Sequence, residues 1–320
     1  MILLQKAEVD NKTVITEFVL LGFGKVPELQ TLLFLVFLVI YVATMVGNIL
    51  IIILVVADQH LHTPMYFFLG NLSCVETCYS SILLPQMLTS LLTGDRTISI
   101  SRCIAQFYWF ALLACTECYL LAAMSYDRYL AICKPLRYSV LMNGRSCLWL
   151  AAGSWLWAFV ASTTGICLMS QLTFCGPGEI DHFFCDLNPL IKRACHGTEL
   201  ITRLSFILTS IGVPFPFLLT LASYVCIIST ILRIPSATGK QKAFSTCSSH
   251  LTVVTLFYGT ITIVYILPDT DTLRDLNKVF SVFYTVLTPL ANPLIYSLRN
   301  KEVRQALRKI TCKLMVLKGI

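Results

Sequence analysis

Long apolar runs, separated by short charged stretches, set the pattern of this chain. Residues 29–57, 147–174, 204–232, 243–268 and 279–298 contain no Asp, Glu, Lys or Arg. Residues 64–92 and 103–126 carry one acid each, Glu76 and Glu117. Each run reaches the ~20 residues a helix needs to cross a hydrocarbon core. Backbone N–H and C=O groups find no water partner in lipid, so the runs predict seven membrane helices in an all-α bundle. Pro85, Pro214, Pro216, Pro289 and Pro293 fall inside the runs and predict local kinks. Residues 1–28 form a short polar head without the charged start, apolar core and cleavage site of a signal peptide, so the first membrane helix is expected to do the targeting. Residues 299–320 form a tail in which Val303, Leu307, Ile310 and Leu314 recur at helical spacing, with Arg304, Arg308 and Lys309 off that stripe. That pattern predicts an amphipathic helix lying on the membrane surface. No repeat or linker divides residues 29–298, which read as one seven-helix transmembrane domain.

Composition narrows the class. The chain is 56% hydrophobic and 13% charged, against roughly a quarter charged in soluble domains. Its net charge of +7 is not gathered into a basic run interleaved with aromatics, so no nucleic-acid partner is expected. With the C-terminus inside, the inner segments hold 14 of the 24 Lys and Arg residues, among them Arg128, Lys134, Arg137, Arg145, Lys240 and Lys242. The reading is therefore a multi-pass plasma-membrane protein with an outer N-terminus and an inner C-terminus. Asn11-Lys12-Thr13 then becomes an outer glycosylation acceptor. Most of the 14 cysteines lie in apolar runs, where free Cys behaves as a small hydrophobe. Cys103, Cys175, Cys185 and Cys195 fall on the outer side, where four cysteines allow three pairings. Free thiols, or a zinc site using His182 or His196, are the alternatives. Cys312 in the tail is open to palmitoylation.

Charged side chains inside a membrane are costly and mark function. Glu76 and Glu117 are either protonated and hydrogen-bonded, or part of a sodium or proton site with Asn48 and Asn292. Asp127 and Arg128 sit where the third run stops and mark one face of the membrane. No acid occupies the outer half of the third run, and Glu117 lies 14 residues beyond Cys103, roughly 21 Å along a helix. The outer halves of the last three runs carry no charge beyond Arg203 and Lys278 at their edges. A cationic ligand is disfavoured, and a neutral, mainly apolar small molecule is expected.

Motifs then point to a family. The stretch MSYDRYLAICKPLRY (residues 124–138), LHTPMYFFL (61–69), KAFSTCSSH (242–250), Phe257-Tyr258-Gly259 and PLANPLIYSLRN (289–300) occur along the chain. With seven helices of this polarity, the chain resembles a rhodopsin-like G-protein-coupled receptor and, more closely, an odorant receptor. Ser125, Leu290, Ala291 and Glu76 depart from the commoner residues. The resemblance implies bridges Cys103–Cys185 and Cys175–Cys195. It implies that Asp127 holds Arg128, beside Tyr129, at rest and releases it on activation. Tyr224 and Tyr296 then turn inward, near Asn292 and Pro293, while the sixth helix, led by Lys240 and Lys242, swings out to admit a G protein. The partner implied is a stimulatory, olfactory-type heterotrimer that raises cAMP, alongside membrane lipids. The implied odorant pocket comprises Phe110, Ala111, Ala114, Cys115, Leu208, Gly212, Ile261, Thr262, Tyr265, Val282 and Thr285, with Tyr258 at its floor. A receptor for a lipid or peptide is the nearest rival. A transporter would show repeats or polar pathways. A retinal protein would need a lysine in the seventh run, which has none. No catalytic motif suggests an enzyme.

Overall fold

A computed structural model describes residues 15–23, 27–196, 198–266, 271–299 and 302–309. The chain opens with strand β1 (Glu17–Leu20), followed by helices α1 (Pro27–Ala57) and α2 (Pro64–Thr93). Strand β2 (Thr97–Ser99) leads into α3 (Ile100–Cys133), and α4 (Gly144–Met169) follows. Strands β3 (Thr173–Phe174), β4 (Glu179–Ile180) and β5 (Ala194–His196) lie in the long loop before the fifth helix. That helix, α5, runs as Thr198–Gly212 and Pro214–Arg233. Next come α6 (Ala237–Ile266) and α7, built from Asp271–Val282, a π turn Phe283–Leu287 and Thr288–Arg299. A last helix, α8, covers 302–309.

Six described helices have the length and hydropathy to cross a membrane. The seventh, α6, has His250–Tyr265 as its apolar part and completes the set. The first two helices match the expected runs to within two residues at each end. Others differ for local reasons. The fourth run was expected to reach Phe174, but α4 ends at Met169, and Thr173–Phe174 pair with β5 instead. The third helix continues past Tyr126 to Cys133, because Leu130 is buried and keeps the helical period going. Asp127 and Arg128 therefore lie within the helix rather than at its end. The fifth helix breaks at Val213, where Pro214 starts the second segment and has no N–H for the ladder. In α7 the π turn precedes Pro289, which likewise has no N–H for the Thr285 carbonyl. The expected stripe on the tail holds through 307: Val303 and Ala306 are buried, and Arg304, Arg308 and Lys309 face out. Ile310, Cys312 and Leu314 lie outside the described residues, as does Asn11.

Packing follows from the burial pattern. Helix α1 turns Leu32, Val39, Val46 and Val56 outward as a lipid-facing surface, while α2 and α3 supply the largest shares of the core. At Gly47 a Cβ would meet the Pro293 ring at 2.9 Å, so glycine lets α1 approach α7. One residue on, Asn48 Nδ2 donates to the Thr44 and Pro289 carbonyls at 3.1 Å each, fixing that seam. At one end of the bundle, β1 pairs antiparallel with β2 and parallel with β4. The bridge Cys103–Cys185 ties the long loop to α3 there, and Cys175–Cys195 closes the loop on itself. Both match the pairing the resemblance implied, and with all four thiols bridged none is left for a zinc ion. At the opposite end, α8 docks through a 2.7 Å bond from the Tyr66 hydroxyl to Glu302 Oε2.

Candidate functional site

Under the bridged loop lies a cavity of about 160 Å³ between α3, α4, α5, α6 and α7. Its wall is mostly apolar: Phe107, Phe110, Ala111 and Ala114 from α3, Ala161 and Gly165 from α4, Leu208, Gly212 and Val213 from α5, and Ile261 from α6. Small residues at Ala111, Ala114, Ala161, Gly165 and Gly212 create the space. The thiols of Cys115 and Cys118 also line it, one helical turn apart on α3.

The polar end of the cavity comes from the loop. Cys185 is bridged to α3, and its N–H donates to Gln106 Oε1 at 2.9 Å. The next residue, Asp186, thereby hangs into the bundle and lines the cavity. Its Oδ1 accepts the Leu187 N–H at 2.7 Å, and its two carboxylate oxygens accept the Tyr265 hydroxyl at 3.0 and 3.1 Å. The Tyr265 and Tyr284 hydroxyls are 3.2 Å apart. Burial pushes the Asp186 carboxyl up to about 6, although the Leu187 and Tyr265 hydrogen bonds pull it down. Behind this network, His182 lies 3.3 Å from the Ser281 hydroxyl. Burial, helped by the Lys278 ammonium, pushes His182 down to about 3. A second, more polar cavity of about 310 Å³ lies on the far side of Asp186, against Asp181, Lys192, Arg193 and Lys278. Lys278 donates to Asp181 at 2.5 Å there.

The structure brings together Phe110, Ala111, Ala114, Cys115, Leu208, Gly212, Ile261 and Tyr265 from the expected pocket. Thr262, Val282 and Thr285 are not on its wall; Thr285 is buried, with its hydroxyl given to the Ser281 carbonyl at 2.6 Å. Tyr258 sits one layer below, its hydroxyl donating to the Cys118 carbonyl at 2.8 Å. Sequence reasoning missed Asp186 and Tyr284. It looked for charge along the helices alone, whereas this acid is carried in by a loop. The available signal was its position directly after a cysteine bridged to α3.

Deeper in the bundle, Glu76 and Glu117 are both buried, and Glu76 lies within electrostatic reach of Glu117. Asn292 Nδ2 donates to Glu76 Oε1. Glu76 Oε2, Glu117 Oε1, Asn48 Oδ1, Asn292 Oδ1 and the Ser80 hydroxyl have no hydrogen-bond partner among the described residues. This is an oxygen-rich centre short of donors.

At the end opposite the bridged loop, Asp127 is fully buried. It accepts Arg128 Nε at 3.0 Å and Nη2 at 2.5 Å, and the Tyr138 hydroxyl at 2.8 Å. The Tyr224 hydroxyl is 2.6 Å from His250 Nδ1. Tyr224, Ile227, Ile231 and Cys247 form a separate apolar cluster, against which Tyr129 packs, so α3, α5 and α6 meet here. Tyr138 and His250 were not assigned roles from the sequence, although both fall within the motifs. Lys240 is half-buried on α6, and Pro293 is buried against α1. The side chains of Lys242 and Tyr296 lie outside the described residues.

Comparison with known proteins agrees with this architecture. The olfactory receptor family profile matches residues 37–314. Olfactory receptor 11A1 of Homo sapiens is 50% identical over 302 residues, covering 94% of this chain and 95% of that one. Olfactory receptor 10A7 of Homo sapiens is 48% identical over 307 residues, covering 96% and 97%. Olfactory receptor 5AP2 of Mus musculus is 47% identical over 300 residues, covering 94% and 95%. Among solved structures, squid rhodopsin superposes with a TM-score of 0.73 at 16% identity, covering 92% of this chain and 88% of that one. That likeness speaks for the fold, and the relatives speak for the family. With seven helices, a bridged loop over an apolar cavity and a paired Asp-Arg at the far end, the chain belongs to the olfactory receptor family of G-protein-coupled receptors, membrane proteins that are not enzymes, take small-molecule ligands and couple to G proteins.

Proposed function

We propose that this receptor binds a small, neutral volatile molecule in the cavity beneath the bridged loop and activates a stimulatory, olfactory-type G protein, raising cAMP. The observation that carries this reading is the cavity itself: five helices converge on it, and small side chains leave it open. Its wall offers dispersion and hydrophobic contact over most of a ligand's surface, which is what binds small uncharged molecules. The bridged loop and N-terminus face outward in this reading, and the Asp127–Arg128 end faces the cytoplasm of the cell bearing the receptor in its plasma membrane. The excess of Lys and Arg on the latter side supports that orientation.

Signalling requires two states of the bundle between which the ligand discriminates. The Arg128–Asp127–Tyr138 cluster and the Tyr224–His250 contact are the resting arrangement in this account. Their separation opens a cleft between α3, α5 and α6 for the G protein. Glu76, Glu117, Asn48 and Asn292 form a site for a sodium ion or a shared proton. The support is their unpartnered oxygens, which match the all-oxygen ligation hard cations take.

The test is a cAMP assay in cells supplied with the olfactory G protein and a trafficking chaperone, screened with volatile alcohols, aldehydes, ketones, esters, acids and amines. A dose-dependent response to a neutral volatile is expected. Arg128→Ala is expected to abolish it while leaving surface expression largely intact, since the Tyr138 hydroxyl still donates to the buried Asp127. A full response in Arg128→Ala would remove the role given to that cluster. Silence of the wild type at the surface would count against the odorant reading.

A further inference from the structure

The polar end of the cavity has a definite hydrogen-bonding sense. Asp186 is 3% exposed and stands between the apolar cavity and the second, more polar one. The Tyr265 hydroxyl has one hydrogen, and the carboxylate takes it. With that hydrogen committed, the 3.2 Å contact between the two tyrosines runs from Tyr284 to the Tyr265 oxygen. The backbone N–H of Leu187 is also spent on Asp186. Every hydrogen in the chain Tyr284, Tyr265, Leu187 thus points toward the carboxylate. A carboxylate offers about four acceptor positions. Two donors occupy this one, leaving acceptor capacity beside the cavity and no donor. The remaining polar lining is Ser162, which donates or accepts equally well, and two thiols, which do both weakly.

Resting on the odorant reading above, we propose that Asp186 sets the ligand class: the receptor selects neutral molecules bearing a hydroxyl, alcohols or phenols, over ethers, aldehydes, ketones and esters of the same skeleton. A hydroxyl gives its hydrogen to the carboxylate, whereas an acceptor-only group turns lone pairs toward lone pairs and leaves its own oxygen unsatisfied against a mostly apolar wall. That asymmetry is the large term in polar recognition. An ammonium ion would also donate. It would, however, have to be stripped of water into a wall of Phe107, Phe110, Leu208 and Ile261 to meet a carboxylate that already holds two donors. The desolvation of such a pair outweighs its attraction unless every remaining proton is also satisfied. A hydroxyl meets the same acceptor at far lower desolvation cost.

The test uses matched sets on several skeletons, each supplied as the primary alcohol, its methyl ether, the aldehyde and the amine, assayed for cAMP with the full-length receptor. In the wild type the alcohol is expected to act at a concentration about tenfold lower than the ether or aldehyde, in line with loss of one charge-assisted hydrogen bond. Asp186→Asn adds an N–H donor while keeping an acceptor, so the aldehyde is expected to gain and the preference to shrink to about threefold or less. Tyr265→Phe removes a donor to Asp186 and leaves the acceptor free, so the alcohol preference is expected to persist or grow. These two variants decide between the outcomes even where Asp186→Ala fails to reach the surface. Equal potency of ether, aldehyde and alcohol in the wild type, a more potent amine, or an unchanged preference in Asp186→Asn would each overturn the proposal and leave the odorant reading in place. Silence to every volatile, with surface expression confirmed, would count against the odorant reading itself and take this inference with it.

Discussion

Two buried polar clusters lie along α7, about two turns apart, and they are built on opposite terms. Around Tyr284, one carboxylate is met by donors alone, and Asp186 is held by a backbone N–H and a tyrosine hydroxyl with acceptor positions to spare. Around Asn292, two carboxylates and two amide oxygens face each other, and the Asn292 amide is the donor to Glu76. Five oxygens there are left without a partner among the described residues. A buried polar group without a partner costs about 1–3 kcal/mol, more when charged. The upper cluster is therefore complete as it stands and can spend its spare acceptor on a ligand. The lower one calls for a positively charged guest, whether a sodium ion or a proton. In the reading proposed above, the same residue types serve recognition in one place and switching in the other, according to how many donors surround them.

The largest effect should come from removing what holds the upper cluster in place. Asp186 follows Cys185 directly, and the bridge to Cys103 joins positions 82 residues apart. Loss of such a bridge costs about 2–5 kcal/mol. Cys103→Ser and Cys185→Ser are each expected to lose most folded protein from the cell surface, measured by staining of intact cells. Cys175→Ser, which opens a bridge between positions only 20 apart and away from the cavity wall, is expected to lose less. Wild-type surface levels in both of the first two variants would show that the loop stays in place without its bridge.

A smaller effect separates the two clusters by their guests. In membranes bearing the receptor, G-protein nucleotide exchange measured in sodium against choline is expected to differ by about fivefold, the low end of the coupling typical between linked sites. Glu76→Gln, which puts an N–H donor where an oxygen stood, is expected to abolish that difference. Asp186→Asn is expected to leave it unchanged. Sodium sensitivity that follows Asp186 rather than Glu76 would reverse the assignment.

The smallest effect is one of pH. Burial raises Asp186 to about 6, so it is ionised at neutral pH and gains a proton as the outer medium falls through that value. The protonated acid is a donor, so the preference for alcohols over aldehydes is expected to narrow by about threefold between pH 7 and pH 5. The groups around it are Tyr265, Tyr284 and the Leu187 N–H, with Asp181, Lys192, Arg193 and Lys278 across the second cavity. His182, pushed down to about 3 mainly by burial, stays neutral throughout that range. A preference that is flat with pH in the wild type, or that shifts equally in Asp186→Asn, would remove Asp186 from the explanation.

Much of this could be read from the residues alone, because lipid leaves so few choices. Uncharged runs located the membrane helices. The stripe Val303–Leu307 foretold α8, and the family resemblance, not the pattern, pointed to Ala111, Ala114 and Gly212, which fell on the cavity wall. The rest failed for identifiable reasons. Charge marks where a run stops being apolar, not where a helix ends, so α3 ran on through Asp127 to Cys133. Uncharged residues after Met169 read as more membrane helix, yet Thr173 and Phe174 are strand, paired across the loop with β5. Helix periodicity says nothing about a loop folded back into the bundle, and so the one acid on the cavity wall was invisible to a search along helices. The conclusion drawn from that search was a pocket without charge, whereas the structure puts a carboxylate at its polar end.

The most direct measurement concerns the cavity. At Gly212, facing α3, an added Cβ would meet the Cys115 sulfur at 3.8 Å, an ordinary contact, so a larger side chain fits the backbone and extends into the space. Gly212→Leu is expected to reach the surface at wild-type levels, to keep its basal cAMP, and to raise the effective concentration of an activating volatile by tenfold or more, as filling of a packed site requires. An unchanged dose-response curve in that variant would mean that the ligand sits elsewhere and would contradict the account.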